Sequence, residues 1–161
     1  MITRRKHFAL SAVAGLWFAM AQAPLGFWPL MLAGFSLSAW LLKASSTRKR
    51  AAWTGWAIGA SYFAVSLVWI VEPFLVDFAK HAWMAPFALA GMAGGLAVFW
   101  ALPFWIAARL GRPASILALW PLAEYARSTL FTGFPWGLLG HVLIATPYAQ
   151  LVAFVGPHVL T

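Results

Sequence analysis

The chain is 161 residues long, and 63% of its residues are hydrophobic while only 9% are charged. These values exclude a water-soluble globular domain, because such domains are about half apolar and about a quarter charged. The formal net charge of +8 does not indicate nucleic-acid binding, because a phosphate-binding patch needs a water-facing domain to carry it.

The apolar stretches are long and do not alternate with polar residues, so we predict an all-α, multi-pass transmembrane helical bundle. A helix rises about 1.5 Å per residue and needs roughly 20 residues to cross the hydrocarbon. By this length we expect one transmembrane domain, residues 1–161, with about five complete spans and a truncated sixth. In chain order they lie near residues 8–23, 27–42, 52–71, 82–108 and 114–131, with a partial span at 149–161.

The basic residues lie on every second connection between the predicted spans. All Lys and Arg residues except Lys80 and Arg127 precede span one, or lie between spans two and three or between spans four and five. Basic loops stay on the cytoplasmic side of a membrane. We therefore expect a cytoplasmic amino terminus, with the segments around Pro24 and at residues 72–81 and 132–150 on the outer side.

The first apolar stretch also has the features of a cleaved signal peptide. Residues 3–6 would be its charged region, residues 8–20 its apolar region and residues 21–23 its cleavage site. Pro24 after the cut and a second apolar stretch immediately afterwards favour an uncleaved first span.

Two pairs of glycines have the spacing that lets membrane helices approach closely. They are Gly55 with Gly59 and Gly91 with Gly95. We expect both pairs to pack within the chain rather than to form a dimer, because small residues commonly serve that purpose in membrane helices.

Few ionisable residues are candidates for chemistry. Glu124 and Arg127, three residues apart, share one face of span five and can neutralise each other. A structural ion pair and a functional pair remain equally open. Glu72, Asp77 and Lys80 are expected in a solvated outer loop.

Metal, cofactor and catalytic patterns are not found in the sequence. The four His residues are scattered without ligand spacing, and the chain contains no Cys. We predict no metal site, no cofactor, no nucleic-acid partner and no catalytic residue.

Residues 130–137 combine helix breakers with large aromatic residues just after span five. Gly133 permits unusual dihedral angles, Pro135 lacks an N–H, and Phe134 and Trp136 suit the depth of lipid headgroups. The segment cannot continue the helix. A plain interfacial turn and a lipid- or substrate-facing loop are both open.

The sequence Glu124-Tyr125-Ala126-Arg127, followed by the LFTGFPW sequence at residues 130–136, resembles the signature of the apolipoprotein N-acyltransferase family. Residues 23–30 look like that family's first outer turn. Residues 69–77 and 83–87 look like the end of its third span and the start of its fourth. The similarity covers essentially the whole chain, in the family's order.

The resemblance implies a bacterial inner-membrane acyltransferase of lipoprotein maturation. Such an enzyme transfers an acyl chain from a membrane phospholipid to the α-amino group of the diacylated amino-terminal Cys of an apolipoprotein. In the family a Cys nucleophile, a Glu base and a Lys act together in a nitrilase-like α/β domain on the outer side.

This chain departs from the family pattern, because it has no Cys and ends within the expected sixth span. No catalytic residue is carried over, and we expect the chain alone to be inactive, as a truncated product or a fragment. The matching positions are candidates for shaping a lipid-access side: Glu124, Arg127, Thr132, Gly133, Phe134, Pro135 and Trp136. The contrasting hypothesis is a non-enzymatic multi-pass membrane protein, either a transporter or an assembly partner.

Overall fold

The computed structural model describes residues 2–131, 133–144, 146–151, 154 and 156, and within them every regular element is helical. The all-α prediction is confirmed. The α-helices are α1 (Arg4–Ala21), α2 (Pro29–Lys43), α3 (Arg48–Ser66), α4 (Glu72–Leu75), α5 (Phe78–His81), α6 (Ala85–Leu110) and α7 (Ile116–Thr129). Short 3-10 turns cover Val68–Val71, Ala82–Met84, Pro113–Ser115, Leu139–Leu143 and Pro147–Leu151.

Local sequence explains where the longer helices begin and end. The hydroxyls of Thr3 and Thr47 accept hydrogen bonds from the first turns of α1 and α3, which satisfies backbone donors that have no partner inside the helix. Pro29 starts α2, where its missing N–H is no loss. Gly111 ends α6 in the left-handed conformation, with φ of 63°.

Helix α3 lies at the centre of the bundle, between α6 and α1. Helix α2 packs against α1, and α7 packs against α6. The close approach of α3 to α6 requires Gly55 and Gly59, because a Cβ at Gly55 would overlap the carbonyl oxygen of Trp100. A Cβ at Gly59 would lie 3.0 Å from the Cα of Ala97.

The second glycine pair does not pack within the described part of the chain. A Cβ at Gly91 or Gly95 would meet no atom within 4 Å. The expectation of internal packing therefore holds for Gly55 and Gly59 and is wrong for Gly91 and Gly95. The spacing alone marks a smooth helix face, and the tertiary arrangement decides whether another helix covers it.

Replacing Gly55 by Ala is expected to lower the free energy of unfolding by about 1–3 kcal/mol, because the added methyl group forces α3 away from α6. The measurement is thermal unfolding of the detergent-solubilised chain. Gly95→Ala is the matched control and is expected to be neutral or slightly stabilising, because its Cβ faces open space. Equal melting temperatures for the two variants would contradict the packing described above.

Among the described helices, one is long and apolar enough by length and composition to cross a membrane. It runs over Phe78–Leu110 and includes α5 and α6. A second would join Arg48–Ser66 to Val68–Leu75 across a bend of 60°. The helix predicted over 52–71 thus stops at Ser66. Helices α2 and α7, with 15 and 14 residues, are shorter than the roughly 20 residues of a full span.

Candidate functional site

The site is built around Glu124 and Arg127, which face the interior from the last two turns of α7. Both side chains are fully buried, and they form a bidentate ion pair. Arg127 Nη2 lies 3.0 Å from Glu124 Oε2, and Arg127 Nε donates to Glu124 Oε1 at 3.3 Å. A buried charge is costly unless it is paired and hydrogen-bonded, so each side chain depends on the other.

Arg127 also binds the backbone of the segment that follows the helix, residues 133–139, which we call the 133–139 loop. Its Nη1 donates to the carbonyl oxygens of Phe134 and Trp136, each at 2.8 Å, and its Nη2 donates to that of Gly137 at 3.2 Å. A guanidinium has five N–H donors, and here all five have acceptors. Arg127 therefore folds the chain back over the end of α7.

Glu124 receives two further donors from other parts of the fold. The indole N–H of Trp100, in α6, donates to Oε1 at 2.6 Å, and the backbone N–H of Leu139 donates to Oε2 at 3.3 Å. Both carboxylate oxygens thus accept two hydrogen bonds each. The carboxylate joins α6, α7 and the 133–139 loop in one network.

Tyr62 and Gln22 also hold this loop through hydrogen bonds to its backbone. The Tyr62 hydroxyl donates to the carbonyl oxygen of Gly137 at 2.9 Å. The amide of Gln22, just after α1, donates to the Tyr62 hydroxyl at 2.7 Å and to the carbonyl oxygen of Leu138 at 2.9 Å. Side chains from α3 and from the end of α1 therefore fix the loop together with Arg127.

The backbone of the loop follows from its breaker residues. Helix α7 ends at Thr129, and Phe131, Gly133 and Gly137 have positive φ angles of 59°, 72° and 65°. A Cβ at Gly133 would lie 2.5 Å from the carbonyl oxygen of Ser128, so only glycine fits there. The prediction that this segment leaves the helix is confirmed, while Thr132 lies outside the described residues.

The predicted site residues divide into a buried set and an exposed set. Glu124 and Arg127 are buried together, and Phe134 packs against the core. Trp136 is 59% exposed, and its ring meets that of Trp69 edge-on at 5.9 Å. The structure thus brings the signature together through the backbone of the loop, while Trp136 faces outward.

Trp100 is the centre of the aromatic core beneath the ion pair and is fully buried. Its ring stacks on Tyr62 at 5.0 Å and meets Trp120 edge-on at 4.9 Å. Phe63 contacts both parts of the site. Its ring lies 5.2 Å from that of Trp100 and 5.0 Å from the Arg127 guanidinium carbon, within the range of a cation–π interaction.

Sequence reasoning missed Trp100, Tyr62 and Gln22 as members of the site. Each is a common residue in its own helix or helix end, and none is close in sequence to α7. The available signal is weak: a buried carboxylate requires donors, and indole and phenol groups usually find a partner when buried.

The hydrogen bonds of the pair fit a structural role. A general base needs a free lone pair within reach of a substrate proton, and the oxygens of Glu124 are occupied. Over the described residues, no three His, Asp or Glu side chains come together as metal ligands. The site can hold a loop in place, and the loop can present its outer surface to another molecule.

The sequence is similar to known proteins over nearly its whole length. The family described as the apolipoprotein N-acyltransferase N-terminal domain matches residues 14–161. The apolipoprotein N-acyltransferase of Caulobacter vibrioides is 41% identical over 162 residues, which cover 95% of this chain and 30% of that protein. The same-named protein of Rhodopseudomonas palustris is 35% identical, with 94% and 30% covered. The chain spans about 30% of the length of these curated relatives.

Proposed function

Since the chain belongs to the apolipoprotein N-acyltransferase family, we propose that it is the membrane-embedded portion of such an enzyme. The intact enzyme would transfer an acyl chain from a phospholipid to the α-amino group of the amino-terminal diacylglyceryl-Cys of a lipoprotein. In this proposal the 161 residues supply the scaffold and the lipid-access side, and the acyl transfer itself needs a nucleophile from elsewhere.

The buried ion pair and the loop that it holds carry this proposal. Arg127 binds three carbonyl oxygens of the 133–139 loop, and Glu124 binds a fourth position through the N–H of Leu139. A site works best when its supporting groups lock its geometry. The loop would therefore be a rigid platform on which a catalytic domain and an incoming lipid meet.

Exposed aromatic residues support a lipid-access role for the same end of the fold. Phe131 is 96% exposed, and Trp136, Trp69 and Trp83 are also exposed. Aromatic rings with an accessible edge favour the depth of the lipid headgroups. We place this aromatic end at the outer surface of the bacterial inner membrane, beside the phospholipid acyl donor and the diacylated lipoprotein.

The proposed topology has several passes, with the amino terminus in the cytoplasm. All basic residues except Lys80 and Arg127 lie at one end of the predicted spans, as expected for cytoplasmic connections. The helices that are short for a full span, α2 and α7, would be completed by thinning of the membrane or by the flanking turns.

The natural absence of Cys allows a direct test of this topology by introducing single cysteines. Val76→Cys, at an 89% exposed position between α4 and α5, is expected to react with a membrane-impermeant maleimide in intact spheroplasts. Ser46→Cys, between α2 and α3, is expected to react only after the membrane is permeabilised. Labelling of Ser46→Cys in intact spheroplasts would contradict the topology.

A further inference from the structure

A basic groove of about 800 Å³ lies between the first turns of α1 and α3. Its lining includes Arg4, Arg5, His7, Lys49, Arg50 and Trp53. We call this the α1–α3 groove. It lies at the amino-terminal ends of these helices, whereas the 133–139 loop follows the carboxyl-terminal end of α7. Nothing in the proposed acyl transfer uses it.

The charged side chains that line the groove are all positive. Two neighbouring helices begin here, and each helix amino terminus carries a partial positive charge. Acidic residues commonly offset this charge, yet neither α1 nor α3 has one in its first turn. Arg4, Arg5, Lys49 and Arg50 add four cationic side chains instead. All three acidic residues of the chain, Glu72, Asp77 and Glu124, lie outside α1 and α3.

Two buried polar atoms of groove residues have no partner among the described residues. They are Nδ1 of His7 and Nε of Arg50. His7 is only 3% exposed, and its other ring nitrogen is 2.8 Å from the hydroxyl of Thr54. Buried polar atoms nearly always have a hydrogen-bond partner. Because the Thr54 hydroxyl donates to the carbonyl oxygen of Arg50, it accepts from Nε2 of His7, and Nδ1 of His7 is then an acceptor. Of the two atoms, the donor Nε of Arg50 is therefore the one whose chemistry suits an anion.

The groove also has an apolar wall. Phe8 and Trp53 both line it, and each side chain is 48% exposed. An indole and a phenyl ring at the end of a membrane helix favour the region where headgroups meet acyl chains. A free inorganic anion would make no use of this wall, whereas a lipid would bury it.

We propose that the α1–α3 groove binds an anionic phospholipid of the cytoplasmic leaflet. The headgroup phosphate lies against the amino-terminal ends of α1 and α3, where Arg5, Lys49 and Arg50 neutralise it. An acyl chain runs along Phe8 and Trp53. The leaflet assignment rests on the proposed topology, while the binding itself does not.

The test measures lipid binding to the detergent-solubilised chain by native mass spectrometry. Phosphatidylglycerol, phosphatidylcholine with the same acyl chains, and inorganic phosphate are compared at equal concentration. The variant is Arg5→Gln/Lys49→Gln, because both side chains are exposed and neither caps a helix. The matched control is Arg109→Gln/Arg112→Gln, which removes two basic residues from another predicted cytoplasmic connection, outside the groove lining.

Selective binding of phosphatidylglycerol is expected, with apparent affinity falling about tenfold or more in the groove variant and less than about twofold in the control. Equal binding of the two lipids, or equal losses in the two variants, would overturn the proposal. Phosphate binding that matches phosphatidylglycerol would also overturn it, because it would show a simple anion site. Labelling of Val76→Cys and Ser46→Cys reports the topology separately, so the two failures are distinguishable.

Discussion

Replacing Arg127 by Met is expected to lower the free energy of unfolding by about 3–5 kcal/mol and to release the 133–139 loop. The substitution leaves the fully buried carboxylate of Glu124 without its cation, and breaking one side of a buried pair costs about this much. It also removes the donors to the carbonyl oxygens of Phe134, Trp136 and Gly137. Denaturant unfolding in micelles measures the loss, and hydrogen exchange at residues 136–139 measures the release.

The control uses an ion pair with the same spacing at the surface. Lys80 and Asp77 are also three residues apart, with their charged atoms 3.0 Å from each other, but their side chains are 76% and 45% exposed. Lys80→Met is expected to cost at most about 1 kcal/mol, because exposed pairs contribute little. Similar losses for Arg127→Met and Lys80→Met would show that the buried pair does not hold the fold.

A double variant separates the buried charge from the lost hydrogen bonds. Glu124→Gln combined with Arg127→Met leaves no charged group in the site, so part of the stability is expected to return relative to Arg127→Met alone. The 133–139 loop is expected to remain released, because its carbonyl oxygens still lack the guanidinium. Recovery of loop protection in the double variant would contradict the role given to Arg127.

Replacing Trp100 by Ala is expected to have the second large effect. It should lower the free energy of unfolding by about 3–5 kcal/mol. Trp100 is fully buried, stacks on Tyr62 and donates to Glu124 Oε1 at 2.6 Å. Trp100→Phe keeps an aromatic ring but removes the donor, so it is expected to cost less, about 1–3 kcal/mol. Thermal unfolding in detergent gives both values.

Trp83→Ala is the matched control for Trp100, because the Trp83 side chain is 67% exposed and its indole N–H donates to the nearby carbonyl oxygen of Lys80. Trp83→Ala is expected to change the free energy of unfolding by no more than about 0.5 kcal/mol. If Trp100→Phe were as harmful as Trp100→Ala, the hydrogen bond to Glu124 would outweigh packing, and the description of Trp100 as the core centre would be wrong.

Much of the fold follows from local features of the sequence. The apolar runs predict helices, and the segment around Pro24, which the sequence places between the first two spans, separates α1 from α2. The pairing of Glu124 with Arg127 follows from their spacing on one helix face. These predictions succeed because each depends on residues close to one another in the chain.

The remaining features depend on tertiary contacts that no local pattern carries. Gly55 and Gly91 stand in the same spacing motif, yet only Gly55 faces another helix in the described part of the chain. The sequence also does not reveal that Trp100 donates to Glu124, or that Tyr62 donates to the carbonyl oxygen of Gly137. These contacts join parts of the chain that meet only in the folded bundle. Similarly, the α1–α3 groove forms from two basic segments that are more than 40 residues apart.

The central proposal is that this chain is the membrane scaffold of a lipoprotein acyltransferase, and a chimera tests it most directly. The chain replaces the matching amino-terminal portion of the Caulobacter vibrioides relative, with which it shares 41% identity. Acylation of a diacylated lipopeptide by phospholipid is then followed by mass spectrometry in proteoliposomes. The 161 residues alone, which contain no Cys, serve as the control.

We expect the chimera to produce triacylated lipopeptide and the 161 residues alone to produce none. A membrane-inserted chimera, stable at the parental level, that gives no triacylated product would contradict the scaffold proposal and favour a non-enzymatic role. Product formed by the 161 residues alone would contradict the requirement for a nucleophile from elsewhere.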